Sequence, residues 1–190
     1  MTRDKGYINI DTFRTAVDQI RRFAKNKTIT LHHFGDPLLH PDLVRLIEYA
    51  EKAGLQTHFS TIGHLLSKEL ASKIAKSSLS SIQFSFFGNP NEFENYHNAN
   101  FRETINNIRR FLNLDPQPEV KIVMLHTGKA DENFFRSFLS EADSFEKKRI
   151  HDWIGDDKNV SNTAALGQKY YSSSFKRTSP FPEVFVTGPA

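Results

Sequence analysis

Three segments of the sequence place a carboxylate or hydroxyl side chain close to a glycine. They are His33–His40, Ser60–Leu66 and Ser85–Gly88, and each comes at the end of a stretch that predicts a β-strand. Glycine lets a ligand approach the backbone closely, and carboxylates and hydroxyls supply hydrogen-bonding groups. The segments therefore predict a ligand-binding rim, although each glycine taken alone also fits an ordinary turn. The polar side chains of this predicted rim are Asp36, Ser60, Thr61 and Ser85.

The elements that would position this rim alternate between helical and strand patterns. The predicted helices are 11–25, 41–54, 67–76, 101–112 and 131–142. The predicted strands are 28–34, 56–61, 81–86, 119–125 and 148–153. Strands that alternate with helices imply right-handed crossovers and a parallel sheet. The predicted fold class is therefore α/β, as an open doubly wound sheet or a partial barrel, and the carboxyl ends of its strands bring the rim segments together.

The limits of these elements follow from capping and glycine signals. Asp11 is expected to cap the first helix, and Gly54 is expected to end the second. The apolar stripe of the first helix comprises Phe13, Ala16, Val17, Ile20 and Phe23.

After Gly155 the periodic pattern ends, and Ser, Asn, Thr, Lys and Gly dominate. We therefore expect one α/β domain over residues 1–154 and an irregular extension over 155–190.

Composition excludes several classes of function. The 190 residues contain no cysteine, which excludes disulfides, cysteine-ligated zinc, thiol catalysis and iron-sulfur ligation by the chain itself. No apolar run approaches the roughly 20 residues that span a bilayer, so a cytoplasmic protein without a membrane partner is expected. The net charge of +3 comes from interspersed charges, which predicts no nucleic-acid partner. Seventeen phenylalanines indicate a core filled with aromatic rings.

The histidines admit structural and functional interpretations. His32 and His33 are neighbours on a predicted strand and face opposite sides, so one of them points inward. A buried, hydrogen-bonded imidazole is favoured over a metal ligand, because the spacing to other histidines matches no metal motif. His40 and Asp42 flank a predicted helix start, where a capping role explains them. His151 and Asp152 are expected to form a solvated surface pair.

A second hypothesis for the histidines is a metal site. His58 and His64 bracket the second rim segment, and His126 ends the fourth predicted strand. With Asp36 they would form a histidine-carboxylate rim, which is the ligand set of a metal hydrolase.

Four segments, taken in order, resemble the core of the radical S-adenosylmethionine (radical SAM) enzymes. They are residues 1–8, 33–43, 60–66 and 85–88. The resemblance covers residues 1 to about 125, and the predicted strands continue it to about 154. It implies a partial (β/α)6 barrel. In that family a three-cysteine loop after the first strand holds a 4Fe-4S cluster, and a Gly-Gly-Glu-Pro-like motif after the second strand binds the amino group of SAM.

The resemblance assigns roles to individual residues. Gly35, Asp36 and Pro37 match the amino-group motif, with Asp36 where glutamate is usual. Ser60 and Thr61 match residues that contact the ribose or the methionine carboxylate of SAM.

The match continues to the end of the next predicted strand, but two residues differ from the family pattern. Ser85 matches a serine that the family usually has at that strand end. Ile62 stands where asparagine is common and Phe87 where aspartate is common, and each change removes a polar side chain. The resemblance therefore implies weakened SAM binding.

The resemblance also implies that the cluster loop would precede the residues matching Met1–Arg3, so we expect this chain to lack the first strand and the cluster ligands. Complete relatives cleave SAM to a 5'-deoxyadenosyl radical that abstracts hydrogen from a peptide, protein or metabolite, whereas this cysteine-free chain is expected to be inert.

Residues 178–185 faintly resemble the start of an auxiliary-cluster extension, with Phe181 at the cysteine position. The alternative is a non-catalytic module of the same fold that binds a nucleotide-like ligand or a partner protein. Loss of the first strand would expose a sheet edge and favour self-association.

Overall fold

The structure is a computed structural model that describes residues 6–24, 27–32, 35–87, 89–126, 142–149 and 184–185. The helices are α1 (Ile10–Phe23), α2 (Leu43–Lys52), α3 (Lys68–Lys76), α4 (Pro90–His97) and α5 (Phe101–Leu112). The strands are β1 (Thr28–Thr30), β2 (Gln56–Thr61), β3 (Ser81–Phe87), β4 (Glu119–His126), β5 (Ser144–Arg149) and β6 (Val184–Phe185). A 3-10 turn over Pro37–Leu39 lies between β1 and α2.

The six strands form one sheet in the order β5-β4-β3-β2-β1-β6, and all neighbouring strands are parallel. Helices lie between the first four strands in the chain. The predicted α/β fold with a parallel sheet is therefore confirmed. Among the described residues the sheet does not close, because its strand order ends at β5 and β6, and this arrangement is compatible with the predicted partial barrel.

Apolar residues on alternate strand positions pack one face of the sheet against the helices. The core residues of the three central strands are fully or almost fully buried, and they are Phe59, Ile82, Phe84, Phe86, Val120, Ile122 and Met124. Phe84 also contacts Phe111 of α5 edge to face, with ring centroids 5.7 Å apart. A smaller cluster joins α1, α2 and β1 through Phe13, Val17, Ile29, Leu46, Ala50 and Leu55. The prediction of an aromatic-rich core is confirmed.

The structure corrects several predicted limits near the start of the chain. Asn9, not Asp11, caps α1, because the Asn9 side chain accepts a hydrogen bond from the Asp11 amide at 2.8 Å. Phe23, placed in the buried stripe, ends the helix 89% exposed. Strand β1 has three residues, whereas the prediction ran to Phe34. The helix predicted from Pro41 begins at Leu43, and the Asp42 amide donates to His40 Nδ1 at 3.0 Å.

Further corrections concern the second half of the chain. The alternation pattern did not reveal α4, which begins with an Asn89 cap and Pro90 in its first turn. Of the strand predicted over 148–153, residues 150–153 lie outside the described ranges. Strand β5 begins earlier than predicted, at Ser144, because pairing with β4 outweighs the weak strand preference of its charged residues. The helix predicted over 131–142 has residues 131–141 outside the described ranges. In the predicted irregular extension, β6 pairs with Ile29 and Thr30 of β1, so this edge is partly covered. Self-association through it stays a prediction.

Glu51 at the end of α2 ties the helix to two strands. Its Oε1 atom accepts hydrogen bonds of 2.6 Å from the Thr57 amide, the Thr57 hydroxyl and the Ser80 hydroxyl. Thr57 is fully buried, so water cannot replace the carboxylate there. This carboxylate therefore fixes the position of α2 relative to the start of β2 and to Ser80, the residue before β3.

Glu51→Ala is expected to lower the free energy of unfolding by about 2–3 kcal/mol, because buried donors would lose their acceptor. Glu69→Ala is the control, since Glu69 is exposed and pairs only with Lys73 one turn away, a contact worth up to about 0.5 kcal/mol. Urea denaturation of both variants measures the difference. Equal losses in the two variants would contradict a structural role for Glu51.

Candidate functional site

Asp36 joins the loop after β1 to the loop after β2. One carboxylate oxygen accepts a hydrogen bond from the Leu38 amide at 2.9 Å and so caps the 3-10 turn. The other accepts a 2.7 Å hydrogen bond from the Thr61 hydroxyl, and the Thr61 oxygen accepts one from the Gly63 amide at 3.0 Å. Because a carboxylate oxygen has two lone pairs, Asp36 retains acceptor capacity for a ligand.

A second polar group lies on β2 and β3. The Ser60 and Ser85 hydroxyl oxygens are 3.1 Å apart, and the Gln83 side-chain amide donates to Ser85 at 2.7 Å and to Ser60 at 3.2 Å. These side chains are half-buried on the sheet face opposite Phe59 and Phe84. The sequence reasoning missed Gln83, although its position between Ser81 and Ser85 on an alternating strand indicates the same face.

Four of the six predicted site residues thus form two hydrogen-bonded pairs, and the other two, Gly35 and Pro37, have no hydrogen-bonding side chain. Asp36 and Thr61 form one group, and Ser60 and Ser85 the other. Ser60 and Thr61 do not share a face, because neighbouring residues of a strand alternate. Gly35 is exposed, and apart from its chain neighbours no described residue has an atom within 4 Å of the position that a methyl side chain would take there. Pro37 is buried at the start of the 3-10 turn.

The two residues that depart from the family pattern, Ile62 and Phe87, make apolar contacts. Ile62 is partly buried and packs against the main core. Phe87 is 6% exposed, and its ring lies 4.9 Å from the Tyr96 ring and 5.5 Å from the His97 ring. Neither position offers a hydrogen-bonding side chain to a ligand.

Two strand-associated histidines make hydrogen bonds within the sheet. His32 Nδ1 accepts from the Ser60 amide at 2.9 Å, which confirms the structural interpretation for His32. His58 Nδ1 lies 2.9 Å from the Ser81 hydroxyl. His33 is outside the described residues.

Burial is the main reason that the pKa of His58 lies below its ordinary value of 6.5. The positive charge of Lys121 lowers this pKa further, and a hydrogen bond to Ser81 opposes the shift. Because the unfolded chain then binds the His58 proton more readily, His58 lowers stability as the pH falls from 6.5 towards its folded pKa. His58 is therefore neutral at physiological pH.

His40 has a structural role, as the sequence indicated, whereas Asp42 does not cap. His40 Nε2 donates to the Ile8 carbonyl at 3.1 Å while its Nδ1 accepts from the amide of Asp42. The Asp42 side chain pairs with Arg45 on the surface of α2 and makes no cap hydrogen bond. His40 therefore holds the segment before α1 against the start of α2.

Two further histidines lie on the segments that follow β2 and β3. His64 Nδ1 and His97 Nε2 are both buried and have no hydrogen-bond partner in the part of the chain that the structure describes. The pKa of His97 is lowered by burial and then by the charge of His64, while Asp36 acts in the opposite direction. The sequence reasoning considered His64 as a metal ligand and did not consider His97.

The predicted metal rim is not formed by the described residues. No group of three or more histidine, cysteine, aspartate or glutamate side chains within the described ranges could hold a metal ion. Nothing is described of the His126 side chain, or of His151 and Asp152.

Of the helices described, none combines the length and hydropathy needed to span a bilayer.

Comparison with known proteins identifies relatives of this fold. Residues 1–136 match the model of the radical SAM superfamily. Among curated proteins, the tungsten-containing aldehyde ferredoxin oxidoreductase cofactor-modifying protein of Pyrococcus furiosus is 27% identical over 82 residues, which are 43% of this chain and 23% of that protein. The chain thus spans about a quarter of that relative.

Solved structures show the same fold at low sequence identity. SuiB of Streptococcus suis, bound to S-adenosylmethionine, matches with a TM-score of 0.63 and 15% identity over 80% of this chain and 36% of its own. The protein anSMEcpe, with bound AdoMet and Kp18Cys peptide, matches with a TM-score of 0.63 and 15% identity over 83% of this chain and 47% of its own. This chain therefore spans less than half of either protein.

Proposed function

The chain belongs to the radical SAM superfamily, and from this premise we propose that it is a SAM-binding α/β domain that does not cleave SAM as the 190-residue polypeptide. The observation that carries the proposal is the hydrogen-bonded link from Asp36 through Thr61 to Gly63. This link holds the predicted amino-group motif in place before a ligand arrives, which lowers the ordering cost of binding. Gly35 next to it leaves open space for a ligand.

The two polar groups suit different parts of SAM. Asp36 offers a negative charge with spare acceptor capacity for the ammonium group. Ser60, Gln83 and Ser85 offer hydroxyl and amide groups that suit the ribose hydroxyls. The apolar side chains of Ile62 and Phe87 supply no further polar contact, so we propose that the affinity for SAM is modest.

The residues present do not fit a 4Fe-4S cluster. Such clusters are held by cysteine thiolates, and this chain has none. These residues therefore support no electron transfer to SAM and no cleavage of its bonds. In complete relatives, as the sequence resemblance implies, the cluster supports the formation of a 5'-deoxyadenosyl radical from SAM.

We propose a peptide or protein as the substrate class of this type of domain. The support is that anSMEcpe is described with a bound peptide and that SuiB is also described bound to a precursor peptide. We propose no nucleic-acid or membrane partner and a cytoplasmic location, in line with the interspersed charges of the chain.

Calorimetric titration of the chain with SAM tests the proposal, and saturable binding is the expected result. Asp36→Ala is expected to weaken SAM binding about 10- to 100-fold, because a hydrogen bond between charged groups contributes roughly 1.5–3 kcal/mol. Asp42→Ala is the control, since it removes the same charge from a side chain that pairs with Arg45.

Two results would contradict this proposal. The absence of saturable binding at millimolar SAM, with the protein folded by circular dichroism, would remove SAM as the ligand. Equal loss of affinity in the Asp36 and Asp42 variants would show that Asp36 is not at the site. If the first of these results is accompanied by binding of 5'-methylthioadenosine, the alternative of a module for nucleoside-like ligands is favoured.

A further inference from the structure

Two buried imidazole nitrogens have no hydrogen-bond partner in the described parts of the chain. They are His64 Nδ1 and His97 Nε2. Buried polar side-chain atoms in native proteins are almost always paired with protein, water or ligand. Both residues lie close to the loops that carry the amino-group motif, so a ligand at that site is the natural partner.

The surrounding structure positions the backbone of His64 and holds the ring of His97 in place. His64 directly follows Gly63, and its carbonyl accepts a hydrogen bond from the Asn107 side chain at 3.4 Å. The His97 ring packs against aromatic rings, with centroid distances of 4.9 Å to Phe93, 5.0 Å to Tyr96 and 5.5 Å to Phe87. A ring held in this way presents its nitrogen in a fixed position, which favours binding.

Asp36 and His64 follow β1 and β2, and His97 packs on Phe87 at the end of β3, so the fold brings all three to the carboxyl edge of neighbouring strands. His97 responds to the charge of His64, which lowers its pKa, and to the charge of Asp36, which raises it, although burial has the largest effect. His97 is therefore neutral near pH 7, and a neutral imidazole carries one N–H donor. His64 and His97 can each donate one hydrogen bond to an anionic group.

The hydrogen-bonding groups of Asp36, His64 and His97 indicate which class of ligand they could bind. A carboxylate together with imidazole donors complements a ligand that carries both a positive and a negative group. A phosphate would be repelled by Asp36, and the described residues contain no three-residue group for a metal ion. An α-amino acid group has the required positive and negative ends.

We propose that His64 and His97 donate hydrogen bonds to the carboxylate of an α-amino acid group whose ammonium is bound by Asp36. This inference rests on the proposed function, since the methionine part of SAM carries such a group. It makes the two histidines the residues that distinguish SAM from ligands that contain only the nucleoside. Hydrogen bonds from His64 and His97 would then compensate for the apolar side chains at Ile62 and Phe87.

The test compares SAM with 5'-methylthioadenosine, which keeps the nucleoside and the sulfur but lacks the amino acid group. The wild-type chain is expected to bind SAM at least tenfold more tightly than 5'-methylthioadenosine. His97→Phe keeps the ring that packs on Phe87, Phe93 and Tyr96 but removes the donor. We expect it to lower the affinity for SAM about tenfold and to leave the affinity for 5'-methylthioadenosine unchanged.

A stability readout and a control variant separate ligand binding from a structural role. Because His97→Phe removes a buried polar atom without a partner, its melting temperature is expected to stay the same or rise. His40→Phe is the control, since both nitrogens of His40 are bonded within the protein. In folded His40→Phe, the ratio of the two affinities is expected to match that of the wild type.

Imidazole nitrogen NMR of the wild-type chain provides a measurement that needs no variant. SAM is expected to shift the His64 and His97 ring signals, and 5'-methylthioadenosine is not. An unchanged affinity ratio in His97→Phe, or equal wild-type affinity for the two ligands, would overturn this inference while SAM binding itself stands. If the wild type binds neither ligand, the proposed function fails and this inference fails with it.

Discussion

Phe111→Ala is expected to lower the free energy of unfolding by about 3–5 kcal/mol, the usual cost of emptying a buried aromatic position. Phe111 is fully buried in the main core, and its ring lies edge to face against Phe84 at 5.7 Å. Removal of the ring leaves a cavity between α5 and β3, which the close-packed strand residues cannot fill.

Phe23→Ala is the matched control, because the same side chain is deleted where it is 89% exposed. Its expected effect lies within about 0.5 kcal/mol, as for most surface substitutions. Urea denaturation followed by circular dichroism measures both variants. A loss at Phe23 as large as that at Phe111 would mean that the exposed end of α1 is buried against another part of the molecule.

Gly63→Ala is expected to cost about 2–4 kcal/mol, the sum of left-handed backbone strain and overpacking. Gly63 has a φ of +84°, and a methyl group there would lie 3.0 Å from Ile108 Cγ1 and 3.3 Å from Phe84 Cδ1. The same substitution would also disturb the Gly63 amide that is bonded to Thr61, so weaker SAM binding is expected to accompany the loss of stability.

Gly54→Ala separates the two contributions, since Gly54 has a φ of +83° but no atom within 4 Å of the added methyl group. It is expected to cost only the backbone contribution, about 1–2 kcal/mol. In the double variant of Gly63→Ala with Ile108→Ala, the added methyl group enters the space left by Ile108, so the combined loss should be smaller than the sum. Equal costs at Gly54 and Gly63 would show that the packing around Gly63 yields without penalty.

The sequence predicts elements best where local signals agree. Strand β2 and helix α5 were predicted with their observed limits, because β2 alternates in burial and Asn100 caps an amphipathic helix. Helix α4 was missed although Asn89 and Pro90 form a recognised helix start, since only Phe93 of this helix is fully buried and the apolar stripe is weak. Strand β5 was displaced because its position depends on pairing with β4.

The site could be predicted as a set of segments but not as a set of contacts. Asp36 and Thr61 were both predicted, yet their hydrogen bond joins residues 25 positions apart and depends on the pairing of β1 with β2. The separation of Ser60 from Thr61 follows from strand alternation and was available from the sequence. The aromatic contacts of His97 depend partly on the fold, because Phe93 lies one turn away on α4 whereas Phe87 belongs to β3.

The absence of cysteine governs what this chain can do with SAM. In the described part of the segments that resemble the SAM site, hydrogen bonds join Asp36, Thr61 and Gly63, whereas the thiolates that hold the cluster in the family have no counterpart in the 190 residues. Under the proposed function, binding and cleavage of SAM are separable in this chain. We expect binding to depend on the Asp36 loop and cleavage to need groups that the polypeptide does not supply.

One anaerobic assay tests this separation directly. The chain is incubated with iron, sulfide, SAM and a low-potential reductant, and bound SAM and free 5'-deoxyadenosine are then quantified by chromatography. We expect SAM to be recovered intact with the protein, with 5'-deoxyadenosine at the level of the protein-free control. Formation of 5'-deoxyadenosine above that level, in proportion to the protein added, would contradict the account.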